Sequence, residues 1–345
     1  MAREIVLGAD TTEFSKQLSR SLQSGHINIL IGSGGSLPSI PLAGGIEAEI
    51  SSLFASGNDG EALSRLLEFM TAIQNPTNAL IRDEPNADNT QTVSNYADFL
   101  GSLENVLSER RTTLLPKQAT VFTTNYDLFI EKAAVKHPAL RLNDGFTRIP
   151  SLENRMVFSS RNFFNATYNT GNFYSYKVEI PCINLVKVHG SLTWQRKDDE
   201  IIYSASLKTP PPASAAAAAI QAYLDDYAVV LPQSRKFRTT MMERNYYELL
   251  RIFANALDRE NSLLLAFGFS FGDEHIRDIV KRALQNPTLR LLVFAYSSDA
   301  AEHLAEMFGL FNNAEIIAPA TGETLGFVEF NALLRGVSPY STASS

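Results

Sequence analysis

Residues 119–127 read ATVFTTNYD, and residues 183–191 read INLVKVHGS. Each stretch begins with β-branched and apolar residues, which favour a strand, and then continues into a short polar segment. In an open α/β sheet, ligands bind outside the carboxyl ends of the strands, so side chains that follow two such strands point into one crevice. Asn125 and His189 are therefore the first candidates for catalytic residues.

The chain alternates between strand and helix patterns on both sides of these two stretches. Short apolar runs predict further strands, and apolar residues at three- and four-residue spacing predict helices between them. The strands are expected at Ile27–Ile31, Ser262–Phe267 and Arg290–Tyr296, and the helices at Leu128–Val135, Tyr246–Leu257, Asp273–Leu284 and Ala300–Phe308. Such alternation is typical of parallel strands with right-handed crossovers. We expect an α/β fold, with a Rossmann-like parallel sheet flanked by helices.

Two insertions are expected to complete a single domain over residues 1–345. The first, at about residues 60–110, is helical, and the second, at about residues 141–222, combines β-hairpins with a linker. The Rossmann-like core is left with about residues 20–60, 110–140, 180–192 and 225–320.

The details of the insertions come from periodicity and turn composition. Helices are expected at Ile46–Phe54, Glu61–Ile73 and Val93–Leu107, with an exposed loop at Asn75–Thr92, which is rich in Asn, Asp and Pro. Antiparallel hairpins are expected over Asn143–Tyr203, with turns at Asn169–Asn172 and Asp198–Asp199. The Pro- and Ala-rich segment Leu207–Ile220 predicts a mobile linker that leads into a helix.

Two glycine-containing turns follow predicted strands. The first, GSGGS at residues 32–36, would let the backbone approach a ligand closely, and amides at the start of the next helix would face a pyrophosphate. It lacks the third glycine of the dehydrogenase motif, since residue 37 is Leu, and it lacks the Lys of a phosphate-binding loop. The alternative is a turn that only connects a strand to a helix.

The second turn, GFSFGD at residues 268–273, offers another phosphate or ribose contact. Ser270 is its better candidate for a ligand. Asp273 is equally suited to cap the helix that begins there, and His275 is expected to face solvent or to pack.

The residue types at the two strand ends suit chemistry on a sugar. The neutral amide of Asn125 can orient a hydroxyl or a water molecule, and His189 can exchange a proton near neutral pH. Alternatively, Asn125 only fixes a turn and His189 is structural. For Asp127, a cap on the following helix and a contact to a ligand are equally plausible.

Composition narrows the class of protein. The net charge is −7, from 30 basic and 37 acidic residues, so bulk charge gives no attraction to nucleic acid. The alternative is a local basic patch that binds nucleic acid, at residues 235–238 or 277–282. No signal-like start or membrane-length apolar run is present, and the one cysteine, Cys182, excludes a disulfide framework and a multi-cysteine zinc site. We expect a cytoplasmic protein that binds neither membranes nor nucleic acid directly.

The order of four motifs is similar to that of the sirtuin-like NAD-consuming family. That family has Gly-Ala-Gly-x-Ser, Gln-Asn-x-Asp, His-Gly and Gly-x-Ser where this chain has GSGGS (32–36), TNYD (124–127), HGS (189–191) and GFS (268–270). The resemblance implies that NAD is the substrate and that the reaction takes place at the nicotinamide ribose, without hydride transfer. The cleavage passes through an oxocarbenium-like state.

The resemblance also implies a role for each matching residue. Asn125 and His189 would be catalytic, with His189 as the base. The NAD contacts would come from Gly32, Ser33, Gly34 and Ser36 at the phosphates and ribose, from Thr124, Asp127 and Gly190 near the nicotinamide ribose and carboxamide, and from Gly268 and Ser270 at the adenosine half. No residue is expected to bind a metal.

Two departures from the protein-deacylating members narrow the expected reaction. Leu42-Ala43-Gly44 stands where those members have Asp-Phe-Arg, and one cysteine cannot supply their four-cysteine zinc module. The chain therefore resembles the zinc-free sirtuin-like domains of bacterial anti-phage systems, which deplete NAD and are often paired with a HerA-type hexameric ATPase.

The resemblance thus implies an NAD glycohydrolase without zinc. Because a cell could not tolerate an unrestrained NAD hydrolase and the sequence contains no recognisable sensor domain, we expect a homo-oligomer whose activity is gated by oligomerisation or by a partner. Protein deacylation or ADP-ribosyl transfer, and a non-catalytic nucleotide sensor or assembly subunit, are the alternatives.

Overall fold

The structure, a computed structural model, describes residues 2–8, 10–42, 44–110, 114–148, 155–171, 177–198, 200–231 and 240–337. The strands are β1 (Arg3–Val6), β2 (His26–Ile31), β3 (Gln118–Thr123), β4 (Arg141–Asn143), β5 (Phe146–Arg148), β6 (Met156–Phe158), β7 (Tyr168–Asn169), β8 (Val178–Glu179), β9 (Cys182–Lys187), β10 (Gly190–Lys197), β11 (Glu200–Tyr203), β12 (Tyr227–Val229), β13 (Ser262–Phe267), β14 (Arg290–Phe294) and β15 (Ala314–Ala318). The helices are α1 (Thr12–Ser24), α2 (Gly44–Ala55), α3 (Asp59–Ile81), α4 (Ala87–Glu109), α5 (Phe129–Ala134), α6 (Ala217–Asp225), α7 (Thr240–Leu257), α8 (Glu274–Ala283), α9 (Ser298–Phe308) and α10 (Phe327–Arg335).

Eight strands form one parallel sheet in the order β1-β15-β14-β13-β2-β3-β9-β4. This confirms the predicted α/β, Rossmann-like fold. From β2 the chain runs outward to β3 and β9, and later returns to the other side of β2 with β13, β14 and β15. Such a reversal of direction is the place where open α/β sheets bind ligands.

The sheet is buried on both faces, because alternate residues of each strand pack against different helices. Ile29 and Val121 pack on one face in a core shared with α1, α4 and α10. Leu30 and Phe122 pack on the other face with α7, α8 and α9. Burial of each such side chain contributes about 1.5–3 kcal/mol. The loops at the strand ends are therefore held on a rigid base.

The predicted loop at Asn75–Thr92 is wrong. Helix α3 continues to Ile81 with Pro76 inside it, and α4 already begins at Ala87. Gln74, Thr77 and Leu80 are buried, and the Asn89 side chain donates a hydrogen bond of 2.9 Å to the Pro76 carbonyl. Tertiary packing outweighs the cost of about 3 kcal/mol that proline carries inside a helix.

A separate antiparallel sheet of five strands, in the order β12-β10-β11-β6-β5, combines strands of the expected β insertion with β12, which lies beyond its expected end at residue 222. The predicted hairpin closes between Lys197 and Glu200, with Asp198 at a positive φ of 52°, while Asp199 lies outside the described residues. At the other predicted turn, the Gly171 amide donates to the Asn169 side chain over 3.0 Å, and Asn172 again falls outside the description. Within the expected insertion, β4 instead joins the edge of the parallel sheet.

The linker at Leu207–Ile220 leads into α6, as predicted. Gln74 of α3 donates a hydrogen bond of 2.5 Å to the Lys208 carbonyl, and the Lys208 amide donates to the Tyr227 hydroxyl over 3.1 Å. The linker is therefore anchored at Lys208 to α3 and to β12.

The remaining sequence expectations concern membrane-spanning helices and two basic segments. In the described part of the chain, no helix is long and apolar enough to cross a membrane. The basic residues Arg277 and Arg282 lie near Glu274 and Asp258, at 3.6 and 3.3 Å. The other basic segment, 235–238, is outside the described residues.

Candidate active site

A cavity of about 480 Å³ opens at the carboxyl ends of β2, β3, β9 and β13, within the range of small-molecule sites. Its walls come from the loops that follow these four strands and from the helical insertion. The predicted site residues that line it are Ser33, Ser36, Thr124, Asn125, Asp127, His189, Gly268 and Ser270. The structure therefore brings Asn125 and His189 to one cavity.

Three of the predicted glycines, Gly32, Gly34 and Gly190, do not line this cavity and instead make close backbone contacts beside it. A Cβ atom at Gly34 would lie 2.7 Å from the Gly268 Cα, and one at Gly32 would lie 2.4 Å from the Gly268 carbonyl oxygen. The Gly34 amide donates to that oxygen over 3.0 Å. Gly190 has a positive φ of 83° and a similar contact with Ala228. Glycine is needed here so that neighbouring backbone segments can approach each other closely.

Asn125 is held by both hydrogens of its side-chain amide. Nδ2 donates to the Gly32 carbonyl and to the Ser36 hydroxyl, each over 2.9 Å. The Asn125 backbone amide donates to the Thr123 hydroxyl over 3.0 Å. The remaining side-chain atom, Oδ1, is a hydrogen-bond acceptor on a residue that lines the cavity.

Ser36 and Asp127 continue this network. The Ser36 hydroxyl donates a hydrogen bond of 2.6 Å to Asp127 Oδ2, and the amide of Phe129, the first residue of α5, donates to Oδ1 over 3.2 Å. Asp127 thus combines the predicted contact to the helix with a place in the cavity wall. Burial, reinforced by the charge of Asp127, places the pKa of Tyr96 well above its usual value, so this phenol beside the network stays neutral.

A buried ammonium group connects β9 to the loop after β3. Lys187 is only 3% exposed, and its Nζ lies 2.8 Å from Glu131 Oε1, 3.3 Å from the Ser191 hydroxyl and against the Asp127 carbonyl. Burial raises the pKa of the Glu131 carboxyl, and the Lys187 charge offsets part of that shift. A lysine within the apolar run of β9 is the signal that the sequence analysis did not use.

His189 follows β9, with its side chain 13% exposed. Its ring is near those of Tyr126 and Tyr246, with centroid distances of 6.5 and 6.1 Å. Burial and the charge of Asp273 raise the pKa of Tyr246, which keeps that phenol protonated.

Asp273 lies beside His189 and has two roles. Oδ1 accepts a hydrogen bond of 3.1 Å from the Ile276 amide, which confirms the predicted cap of α8, and Oδ2 lies 3.0 Å from His189 Nε2. Burial alone would raise the pKa of the Asp273 carboxyl, but the contacts with His189 and the Ile276 amide outweigh it and lower that pKa. The sequence analysis missed this second contact. His275 is exposed, as expected.

Part of the cavity lining is apolar and comes from Ile40, Phe69 and Ile73. Among the described lining residues there is no Lys or Arg, so an anionic ligand would meet hydroxyl and backbone N–H groups. In the same part of the chain, no cluster of three or more His, Cys, Asp or Glu side chains could hold a metal ion. The arrangement offers a general base, a fixed amide acceptor and an apolar surface for a flat ring.

Comparison with known families adds one finding. A family model described as SIR2-like domain matches residues 119–315, more than half of the chain. The match contains Asn125, His189 and Asp273, whereas the glycine turn at 32–36 precedes it. No curated protein matches the chain.

Proposed function

The chain belongs to the SIR2-like domain family, whose members use NAD, and from this premise we propose that it is an NAD glycohydrolase, which cleaves NAD to nicotinamide and ADP-ribose. The observation that carries the proposal is the meeting of Asn125 and His189 at one cavity beside the glycine loops. Hydrolysis needs a group that holds the ribose or the attacking water and a group that accepts a proton.

The residues of the cavity fit NAD as a substrate. The turn at Ser33–Ser36 packs against Gly268 so closely that a Cβ atom at Gly34 has no room, which leaves backbone and small hydroxyl side chains for the phosphates and ribose. Ser270 offers a further hydroxyl in the cavity lining, and Phe69 and Ile73 offer apolar contact for a ring.

The chemistry follows from what these side chains can do. Nicotinamide leaves as a neutral molecule when its bond to ribose C1′ breaks, so the protein need not protonate it. Asn125 Oδ1 accepts a hydrogen bond from a ribose hydroxyl or from water, and His189 accepts the proton that the water loses. A well-placed base contributes about 10²- to 10⁴-fold. The carboxylate of Asp127 in the cavity wall favours the positive charge that develops on the ribose.

The test is the release of nicotinamide from NAD by the purified chain, measured chromatographically. We expect turnover by the wild type, and losses of about 10²- to 10⁴-fold in Asn125→Ala and in His189→Ala. His275→Ala is the matched control, because His275 is exposed and does not line the cavity. It should retain wild-type turnover.

The other outcomes are equally informative. Turnover that survives both substitutions would exclude the proposed site. Tight NAD binding without turnover would favour the non-catalytic sensor, and consumption of NAD only with an acylated or acceptor protein would favour deacylation or ADP-ribosyl transfer.

For the cellular role, we propose the NAD-depleting effector of a bacterial anti-phage system, in which infected cells lose NAD. The support is the resemblance to zinc-free sirtuin-like domains, together with the single cysteine of the chain. The same resemblance supports a homo-oligomer in the cytoplasm and a HerA-type hexameric ATPase as its partner.

A further inference from the structure

We propose that Asp273 is a positioning residue for His189: its carboxylate fixes the ring and its tautomer, so that Nδ1 is the nitrogen that accepts the proton. The kinetic consequence rests on the proposed function, whereas the tautomer can be measured without it.

The two oxygens of Asp273 are used differently. Oδ1 is used by the cap of α8, through the bond from the Ile276 amide, and Oδ2 lies 3.0 Å from His189 Nε2. A cap alone requires one oxygen, and Ser or Asn serves that role equally well. The second oxygen therefore gives the carboxylate a role that capping does not explain.

The pair also spans the crevice. Asp273 follows β13, His189 follows β9, and β2 and β3 lie between these strands in the sheet. Both residues line the cavity, together with Asn125 and with Ser33 and Ser36 of the turn after β2. A contact across two intervening strands fixes the distance between the loops that would hold the substrate.

The chemistry of the contact determines the tautomer. Oδ2 of Asp273 lies 3.0 Å from Nε2, although the ring N–H does not point at it well enough to make a hydrogen bond. A negative charge at this distance from Nε2 favours the neutral tautomer that carries its proton there. The lone pair is then on Nδ1, which makes no hydrogen bond with another described residue. When Nδ1 takes up a proton, the nearby carboxylate stabilises the imidazolium, as in a Ser-His-Asp triad. The lowered pKa of the Asp273 carboxyl is consistent with this ionised state.

The experiment compares Asp273→Asn with Glu274→Gln. Asparagine keeps the cap, because its Oδ1 still accepts from the Ile276 amide, but it presents an NH₂ group to Nε2 and so favours the opposite tautomer. Glu274→Gln removes a neighbouring negative charge from the same helical turn, but this side chain is 81% exposed and does not line the cavity. Nitrogen-15 NMR of the His189 ring, assigned with His189→Ala, reads the tautomer directly.

We expect the Nε2–H form in the wild type and in Glu274→Gln, and the Nδ1–H form in Asp273→Asn. An Nδ1–H form in the wild type, or an unchanged tautomer in Asp273→Asn, would overturn the proposal even if the chain does not hydrolyse NAD.

The kinetic readout separates positioning from general stability. Asp273→Asn should lower kcat for nicotinamide release by about 10- to 10³-fold, with a small change in KM and an unchanged melting temperature. Added to His189→Ala, it should cause no further loss, because it acts through that side chain. Losses that multiply in the double variant would show that Asp273 acts independently of His189, against the proposal.

Discussion

A single hydroxyl group connects the polar side chains at the end of β3. Ser36 is 1% exposed, and its Oγ accepts from Asn125 Nδ2 and donates to Asp127 Oδ2. Removal of the hydroxyl leaves a buried carboxylate oxygen without this donor, which is more costly than the loss of an exposed hydrogen bond.

We expect Ser36→Ala to lower the free energy of unfolding by about 1–3 kcal/mol, for the loss of a partner to a buried charge. Nicotinamide release should fall as well, by about 10-fold or more, because Asn125 loses one of its two side-chain anchors. Denaturant unfolding and the NAD assay measure the two effects. Ser33→Ala is the control for stability, because Ser33 is half-buried and its hydroxyl has no partner among the described residues. This substitution should change the free energy of unfolding by no more than about 0.5 kcal/mol. Equal stabilities of the two variants would contradict the role of the network.

Asn125 and His189 can be chosen from the sequence as candidates because position at a strand end is a local property, and the structure places both in the lining of one cavity. Sequence reasoning could not find the contact between Asp273 and His189, because that depends on which strands lie side by side. The burial of Lys187 could not be predicted for a related reason. A lysine in a strand pattern is expected to face solvent, and only the fold shows that Glu131 lies 2.8 Å from its Nζ.

Among the structural elements, the two glycine loops make a close backbone contact beside the cavity. Gly268 has a positive φ of 61°, and the Gly34 amide donates to its carbonyl. This contact joins the loop after β2 to the loop after β13 across neighbouring strands.

Gly34→Ala should therefore separate the two loops. The added Cβ would lie 2.7 Å from the Gly268 Cα, a clash with backbone that costs about 1–3 kcal/mol of stability. We expect the Kd for NAD, measured by calorimetry, to rise by at least about 10-fold. Gly60→Ala in α3 is the matched control, since nothing lies within 4 Å of its Cβ position and alanine favours helix, so it should leave stability equal or higher by up to about 1 kcal/mol. Normal NAD affinity in Gly34→Ala would show that the loops can separate without harm.

The longer elements show where local patterns fail. Composition indicated a loop around Pro76, but Gln74, Thr77 and Asn89 find partners or packing that only the folded insertion supplies. The terminal elements β1, α1, β15 and α10 were not predicted, and β15 carries a charged residue within a short apolar run. The central parallel strands were predicted well because they are buried on both faces and read as continuous apolar runs.

At the scale of the whole molecule, the described residues form a parallel sheet of eight strands and an antiparallel sheet of five, and the proposed site lies at the carboxyl ends of the parallel strands. A cell could not survive an unrestrained NAD hydrolase. We therefore expect the activity to be gated by assembly, either of this chain with itself or with a partner.

Specific activity should depend on assembly. We expect the isolated monomer to release nicotinamide at least about 10-fold more slowly per chain than the assembled form at the same NAD concentration. Light scattering across a dilution series gives the oligomeric state, and the NAD assay on the same samples gives the rate. The His189→Ala variant, which we expect to be inactive, is diluted in the same way and gives the background rate at each concentration. A monomer that is fully active at physiological NAD would refute gating by assembly.

Helix α3 touches two distant parts of the molecule at neighbouring residues. Phe69 and Ile73 form the apolar wall of the cavity, while Gln74 donates to the Lys208 carbonyl and accepts from the Tyr223 hydroxyl of α6, each over 2.5 Å. The same helix is thus bonded to the linker and to α6 at one residue and lines the cavity at the residues just before it. A displacement of the linker or of α6 would therefore move α3, and with it the apolar side of the cavity.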